Sequence, residues 1–452
     1  MNGVSSFTAA SDGAPDLLES RLAAAQATDP EKSDFDYIIV GSGAGGGPLA
    51  ARLALAGKKV LVLEAGRDPV QSSSVAYPTA DKGEVTRIPG YYAAASEDKE
   101  MSWMFSVRHH ADDATQARDK KYNNLPWDPN APAGQNVKLD SKYLDPHPRG
   151  GKQGIFYPRS SGIGGCTAHH AMITIAPNDK DWNDIADFTG DESWRAGPMR
   201  GYFAKFERNQ YLAAYDRFLS HLLGFFYRIY RWVVLLFDPR AVLDRGGHGF
   251  EGWAPTNFID PFLISTIAKA DRPFFRVIVR AALGVLHGNN LLVVGLKRAA
   301  LRLRVVQAID FNDVNTRRTN PEGVFLIPIG TESGAAPDDS GQPGTGCRFG
   351  VREFLLTTAA QHPDRLVIKT GVHVTRVLFE QRANEKAPRA IGVECAVGEH
   401  LYEASPAQKS ESERRVAYFA KASGGEVVLC GGAFNTPQLL MLSGIGDSAH
   451  LG

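Results

Sequence analysis

The chain has 452 residues, with 50 Lys+Arg against 50 Asp+Glu, 43% hydrophobic residues, 46 Gly, 26 Pro and 4 Cys. At roughly 100–200 residues per domain this makes two or three domains with length enough to bury a core, which excludes disorder throughout. A net charge of zero excludes a protein whose main task is to coat nucleic acid, because neutralising phosphates needs a surplus of Lys and Arg.

Residues 1–33 are rich in Ala, Ser, Asp and Pro, carry no apolar run of secretory-signal length, and read as a flexible or partly helical tail. Asp36 to Val40 is a short apolar run ending in Gly41. Pro48 to Ala56 carries Leu and Ala at helical spacing, and Lys58 to Leu63 is a second apolar, β-branched run. Strand, Gly-rich turn, helix and strand within about thirty residues make a βαβ unit, which predicts an α/β fold with a parallel sheet. From Val70 to Gly154 the pattern dissolves into Tyr, Pro, Asn, Asp and Gly, as in long surface loops. Periodicity returns from Trp182 to Gln210.

Phe218 to Phe237 is the most apolar stretch and is about as long as a bilayer span, but Arg228 and Arg231 sit in its middle, where each costs about 2.5–3.5 kcal/mol. A spanning helix is therefore not expected. Arg272 to Arg304 holds seven Lys/Arg and no acid among Val, Leu and Ala. Two readings of these segments stand open: a helical insertion packed on the protein, or a peripheral surface, residues 218–237 and 272–304, that meets anionic lipid or a lipophilic substrate. Gly, Pro and Ser enrich the chain from Gly323 to Gly346, a loop or domain crossing. Leu366 to Phe379, Ala390 to Cys395 and Glu426 to Cys430 read as strands, and Pro437 to Leu442 as a helix. Cys166, Cys347, Cys395 and Cys430 are far apart and predict neither a zinc site nor a disulfide framework, in keeping with a reducing, cytoplasmic setting.

The chemistry-bearing motif is Gly41-Ser42-Gly43-Ala44-Gly45-Gly46, which follows a strand and opens a helix. Gly41 permits the tight turn, Gly43 lets the backbone approach a pyrophosphate, and Gly46 lets the helix pack closely on the sheet. The anion would sit on the helix N-terminus. Glu64 closes the second strand, where a carboxylate can accept hydrogen bonds from a ribose. NAD and FAD use the same physics, so this unit alone does not choose between them.

Residues 36–53, continuing through Val60 to Gly66, resemble the opening of the glucose-methanol-choline (GMC) family of FAD-dependent oxidoreductases. Tyr157 to Met172 resembles that family's first signature and Gly432 to Gly446 its second, with weaker echoes at 179–194, 346–348 and 370–376. The resemblance covers Phe35 to Gly452, with Leu212 to Val314 poorly matched. It implies a Rossmann-like FAD-binding domain carrying a substrate domain of antiparallel sheet and helices. The implied division is a tail at 1–33, the first part of the FAD domain at 34–211, a substrate-domain portion with the apolar and basic insertion at 212–345, and the returning FAD part at 346–452.

By the same resemblance Glu64 meets the ribose, the backbone around Val374 meets the adenine side, and Gly164, Gly165, Thr167, His169, His170 and Met172 lie along the isoalloxazine. In choline-oxidase-type members a histidine at the place of His169 can bond covalently to the flavin. The alternative is a His169 that packs beside the ring without a bond. His170 stands where the family usually has Asn, which puts the usual amide contact in doubt. The implied reaction moves hydride from the carbinol carbon of an alcohol to the flavin, with oxygen or a quinone-like acceptor taking the electrons. The family's catalytic histidine and its His or Asn companion lie about a hundred residues beyond the second signature, so no catalytic residue is nominated in this chain. His109, His110, His248, His287, His362 and His373 lack the spacing of a triad and are not put forward, and no metal site is expected. The competing expectation is a non-catalytic or truncated flavin-binding protein.

Overall fold

In the computed structural model the described residues are 35–72, 84–98, 100–119, 122–123, 154–212, 225, 246–258, 269–277, 279–280, 310–314, 325–332, 346–382, 387–402 and 414–451. The tail at 1–33 lies outside them, as do nearly all of 218–237, most of 272–304 and much of the Gly/Pro/Ser-rich stretch. Among the described residues no helix is long and apolar enough to cross a membrane. The chain forms two compact units, residues 1–170 with 350–452, and residues 171–349.

In chain order the principal elements are β1 (Tyr37–Val40), α1 (Gly46–Leu55), β2 (Val60–Leu63), β3 (Phe105–Val107), β4 (Tyr122–Asn123), β5 (Gly154–Tyr157), α2 (Asp179–Thr189), α3 (Ala196–Phe206), β6 (Glu207–Asn209), β7 (Ala254–Thr256), α4 (Val351–Gln361), β8 (Leu366–Lys369), β9 (Val372–Glu380), β10 (Arg389–Val397), β11 (Arg414–Phe419), β12 (Glu426–Leu429) and α5 (Gly432–Leu442). The heart of the first unit is a parallel sheet in the order β12-β1-β2-β8. Its strands are unbroken runs such as Val60-Leu61-Val62-Leu63, because a parallel sheet is covered on both faces.

The two faces meet different partners. Ile38, Val40, Leu61 and Leu63 pack with Val372, Val393 and Tyr418 of the antiparallel sheet β11-β10-β9. Ile39, Val60 and Val62 pack with Ala50, Ala51 and Ala54 of α1 and Leu355 of α4. Alternate side chains of one strand thus serve two cores, as a side-chain period of two requires. The small face of α1 lets α4 approach closely: a Cβ on Gly47 would lie 2.2 Å from Val351 Cγ1.

The apolar run from Leu366 to Phe379 is two strands rather than one. Gly371, at φ +64°, turns the chain from β8 in the parallel sheet into β9 in the antiparallel one. Lys369-Thr370-Gly371 interrupts the apolar pattern at this turn, and the residues on either side of it face shared cores. The helix expected from Pro437 begins five residues earlier and carries Pro437 inside it. The stretch from Val70 to Gly154 holds β3 and β4 and short helices at Glu84–Arg87, Tyr92–Ser96 and Asp113–Ala117, too brief for periodicity to register.

In the second unit, Asn178 caps α2 with a reciprocal box to Asp181, and Gly190 at φ +72° ends it. β6 pairs in parallel with β7, and Ile329 bridges both Ile173 and Asn257.

Candidate functional site

A cavity of about 960 Å³ opens in the first unit at the C-terminal ends of β1, β2 and β12. Three stretches distant in sequence converge on it: Val40 to Gly45 with Leu63 to Ala65, Gly165 and Cys166, and Cys430 to Asn435, joined by Val372 to Thr375 of β9. Ligands of parallel α/β sheets bind at these strand ends, and cavities of about 300–1,000 Å³ hold small-molecule and cofactor ligands.

The glycines shape the cavity by what they lack. Gly41 sits at φ +93°, and a Cβ there would lie 2.4 Å from Cys430 O. A Cβ on Gly46 would lie 2.0 Å from Gly41 O, so both positions exclude any side chain. Gly43 faces Gly165, where a Cβ would come within 2.7 Å of Gly43 Cα. The backbones of the two Gly-rich stretches therefore meet directly. Behind them α1 begins with no side-chain cap and no acid in its first turn, which leaves its N–H groups and positive dipole end for an anion.

Glu64 ties these stretches together. Its Oε2 accepts from the Ser42 backbone N–H at 3.0 Å and the Ser42 hydroxyl at 2.6 Å, while Oε1 accepts from Gly66 N–H at 3.1 Å and Gly162 N–H at 2.9 Å. Gly164 N–H donates to the Ser42 hydroxyl at 3.2 Å. A carboxylate has about four acceptor sites, and these donors occupy them, so a ribose hydroxyl must share or displace one. Burial pushes the Glu64 carboxyl above its ordinary value, against the pull of the four hydrogen bonds.

Of the residues expected in the site, Gly41, Gly43, Glu64, Gly165 and Val374 line the cavity. Gly46 is buried at the start of α1, and Gly164, at φ +93°, caps the short 3₁₀ turn Gly165–Ala168. The Thr167 hydroxyl donates to Gly164 O at 2.6 Å and steadies that turn. His169 ends the turn with its side chain buried, and it is not among the cavity's lining residues. His170 is exposed. Met172, at φ +58° and buried, belongs to the second unit.

The cavity wall also holds residues that sequence reasoning passed over. Trp103, Phe105, His373 and Tyr402 form an aromatic wall, with Trp103 and Tyr402 ring centroids 5.2 Å apart and His373 5.8 Å from Tyr402. Burial lowers the His373 imidazole below its ordinary value, which keeps it neutral. Arg159 lies over the Phe434 ring, 5.6 Å from its centroid. Trp103 and Tyr402 stand in aperiodic stretches and carried no signal, whereas Arg159 and Phe434 sit inside or beside the two signature-like segments.

Residues 330–452 match the family model described as GMC oxidoreductase, and residues 39–106 match one described as an NAD(P)-binding Rossmann-like domain. An oxygen-dependent choline dehydrogenase of Staphylococcus aureus is 25% identical over 422 residues, covering 93% of this chain and 49% of that protein. The chain spans about half the length of the curated relatives it matches. Among solved structures, pyridoxine 4-oxidase from Mesorbium loti superposes with a TM-score of 0.50 at 19% identity, covering 92% of this chain and 53% of that one. An FAD-dependent oxidoreductase from Chaetomium thermophilum gives 0.51 at 18% identity, covering 92% and 48%. These likenesses concern the fold.

Proposed function

We propose that the chain, whose residues 330–452 match the GMC oxidoreductase family model, forms the FAD-binding part, with a portion of the substrate domain, of an enzyme that oxidises the CH–OH group of an alcohol. The observation that carries this reading is the convergence of the Gly41–Gly45 loop, Gly165–Cys166 and Gly431–Asn435 on one cavity of cofactor size. FAD fits the residues present. The Gly43–Gly165 approach and the uncapped start of α1 receive a pyrophosphate, and β9 at Val374 with the Trp103, His373 and Tyr402 rings offers an aromatic wall to an adenine. When bound, FAD supplies the acceptor for a hydride leaving the carbinol carbon. Glu64 and Ser42 hold the loop geometry, and the neutral His373 adds a ring without a charge.

Among the described residues His373 is the one histidine lining the cavity, and it stands with the aromatic wall. This favours a second reading, in which the chain binds flavin but contains no base for the hydroxyl proton. Purification with added FAD separates the outcomes. Flavin absorbance with reduction by alcohols supports the first reading, flavin absorbance without reduction supports the second, and a folded protein that takes up no flavin sinks both.

The donor is proposed to be a small alcohol and the acceptor oxygen or a quinone-like compound, which an oxygen electrode and an artificial quinone distinguish. The burial of His169 off the cavity lining supports a histidine that packs near the ring without a covalent bond. Acid precipitation checks this: colour wholly in the supernatant agrees, and a yellow pellet contradicts it. Peripheral membrane contact through 218–237 and 272–304 is proposed as the role of the insertion. Flotation with anionic liposomes that is unchanged on replacing Phe225, Phe226 and Trp232 by Ser would remove it.

A further inference from the structure

Beside the aromatic wall, the turn at Glu100 meets the turn at Glu399 and His400, and both turns belong to the first unit. One oxygen from each carboxylate and one imidazole nitrogen lie within 4.8 Å of one another. His400 Nε2 is 3.1 Å from Glu100 Oε2. Two ligands bound to zinc at about 2.0–2.2 Å in tetrahedral geometry lie roughly 3.3–3.5 Å apart, so this pair already has metal-ligand spacing. A Glu399 oxygen lies within 4.8 Å of both, so a small side-chain movement brings it to the same spacing.

Two further observations point to an occupant. First, Glu100, Glu399 and His400 line a separate small cavity of about 20 Å³ with Arg67, Ser161 and His373. Since about 10–15 Å³ of such space holds one water, this one has room for a single ion or water. Second, the His400 side chain is only 9% exposed, and among the described residues its polar partner is Glu100, itself a prospective ligand. His400 stands at φ +53° in this turn, where two consecutive side chains, Glu399 and His400, approach one point.

The charges agree with a cation. Two carboxylates converge, the imidazole of His373 nearby is held neutral by burial, and among the described residues the facing positive charge is Arg67 on Glu399. The Arg67 side chain is 63% exposed, so its pairing with Glu399 is a surface pairing that a metal can displace.

We propose that Glu100, Glu399 and His400 bind one divalent transition-metal ion of the zinc class, with water completing its coordination. An imidazole with two carboxylates selects zinc-like ions over calcium or magnesium, which prefer all-oxygen sites. The ion ties together two turns that each carry a ring of the cavity wall: Trp103 lies three residues after Glu100, and Tyr402 two after His400. Its role is that of a clip on the wall. Metal binding itself does not depend on which cofactor the cavity holds.

The test uses the full chain, stripped with EDTA and titrated with ZnCl₂ by calorimetry, with metal content measured after dialysis. One zinc per chain is expected. His400→Gln and Glu399→Gln weaken binding at least tenfold, and Arg67→Ala, which removes a competing cation at an exposed position, tightens it severalfold. Excess Mg²⁺ or Ca²⁺ leaves the zinc in place. No zinc uptake by the wild type overturns the proposal. So does a folded His400→Gln chain that binds like the wild type, an Arg67→Ala chain that binds more weakly, or displacement of zinc by Mg²⁺ or Ca²⁺ at similar concentration.

Discussion

Around the nucleotide cavity the chain meets itself backbone to backbone, Gly43 against Gly165, with the Glu64 carboxylate drawing the loops in by four hydrogen bonds. In the interior of the second unit the meeting is made by charged side chains instead. His248 Nδ1 lies 3.0 Å from Glu207 Oε2, and its Nε2 lies 3.0 Å from Asp310 Oδ2. The Tyr211 hydroxyl donates to Asp310 at 2.7 Å, and the Thr256 hydroxyl and the Gly249 N–H donate to Glu207. Asn312, whose N–H donates to Asp310, receives the Ala176 N–H on its side chain and gives a hydrogen bond to Thr174 O. One region is specified by where side chains are forbidden, the other by where ionised groups must pair. The first tolerates no added atoms, while the second tolerates no lost charge.

That contrast breaks most visibly at His248. The His248→Ala chain leaves Glu207 and Asp310 facing each other buried and uncompensated, and such a loss costs about 3–5 kcal/mol, read by urea denaturation at neutral pH. The same group predicts a pH profile. Burial pulls His248 down, but the hydrogen bonds and charges of Asp310 and Glu207 outweigh it and raise it to about 10 from an ordinary 6.5. A folded value above the unfolded one means that the stabilisation is fully present below pH 6.5 and is lost as pH rises through 10. Melting temperature should therefore fall between pH 6.5 and 10, and a His248→Gln chain should show a flatter profile over that window.

On the other side of the comparison, Gly41→Ala adds a methyl 2.4 Å from Cys430 O at a left-handed φ. The strain alone is about 1–3 kcal/mol, so FAD affinity by fluorescence titration should drop on the order of 10- to 100-fold. A control outside both regions sharpens the contrast. Asp184→Ala on α2 removes the exposed Lys180 pair and should leave the melt indistinguishable from wild type.

What could be read ahead of the structure follows the same division. The β1–α1–β2 unit, its glycines and the β12–α5 segment are local patterns, spelled out within thirty residues of contiguous chain. The split of β8 from β9 is marked in the sequence only by Lys369-Thr370-Gly371, a break too short to show that the strands on either side join different sheets. The buried His248 group was illegible for another reason: Glu207, His248 and Asp310 stand 41 and 62 residues apart, and nothing in a lone His or Asp distinguishes a buried partner from a solvated one. His248 was set aside as a scattered histidine, whereas the fold makes it the centre of a charged interior. Trp103 escaped for want of periodicity, and the cluster at Glu100, Glu399 and His400 for want of any sequence proximity between its two turns.

The pairing of β1 with β12 has a consequence for how the chain is made. Tyr37 finds its neighbour Glu426 roughly 390 residues downstream. At about 5–20 residues per second on a ribosome, that is on the order of 20–80 s during which the strand Tyr37–Val40 has one open edge. Ile38 and Ile39, fully buried in the finished protein, emerge early and wait for Val427 and Val428 far downstream. Nascent chains of this protein are thus expected to depend on holding factors more than their final stability suggests, and ribosome-bound lengths short of residue 429 should be the ones that such factors capture.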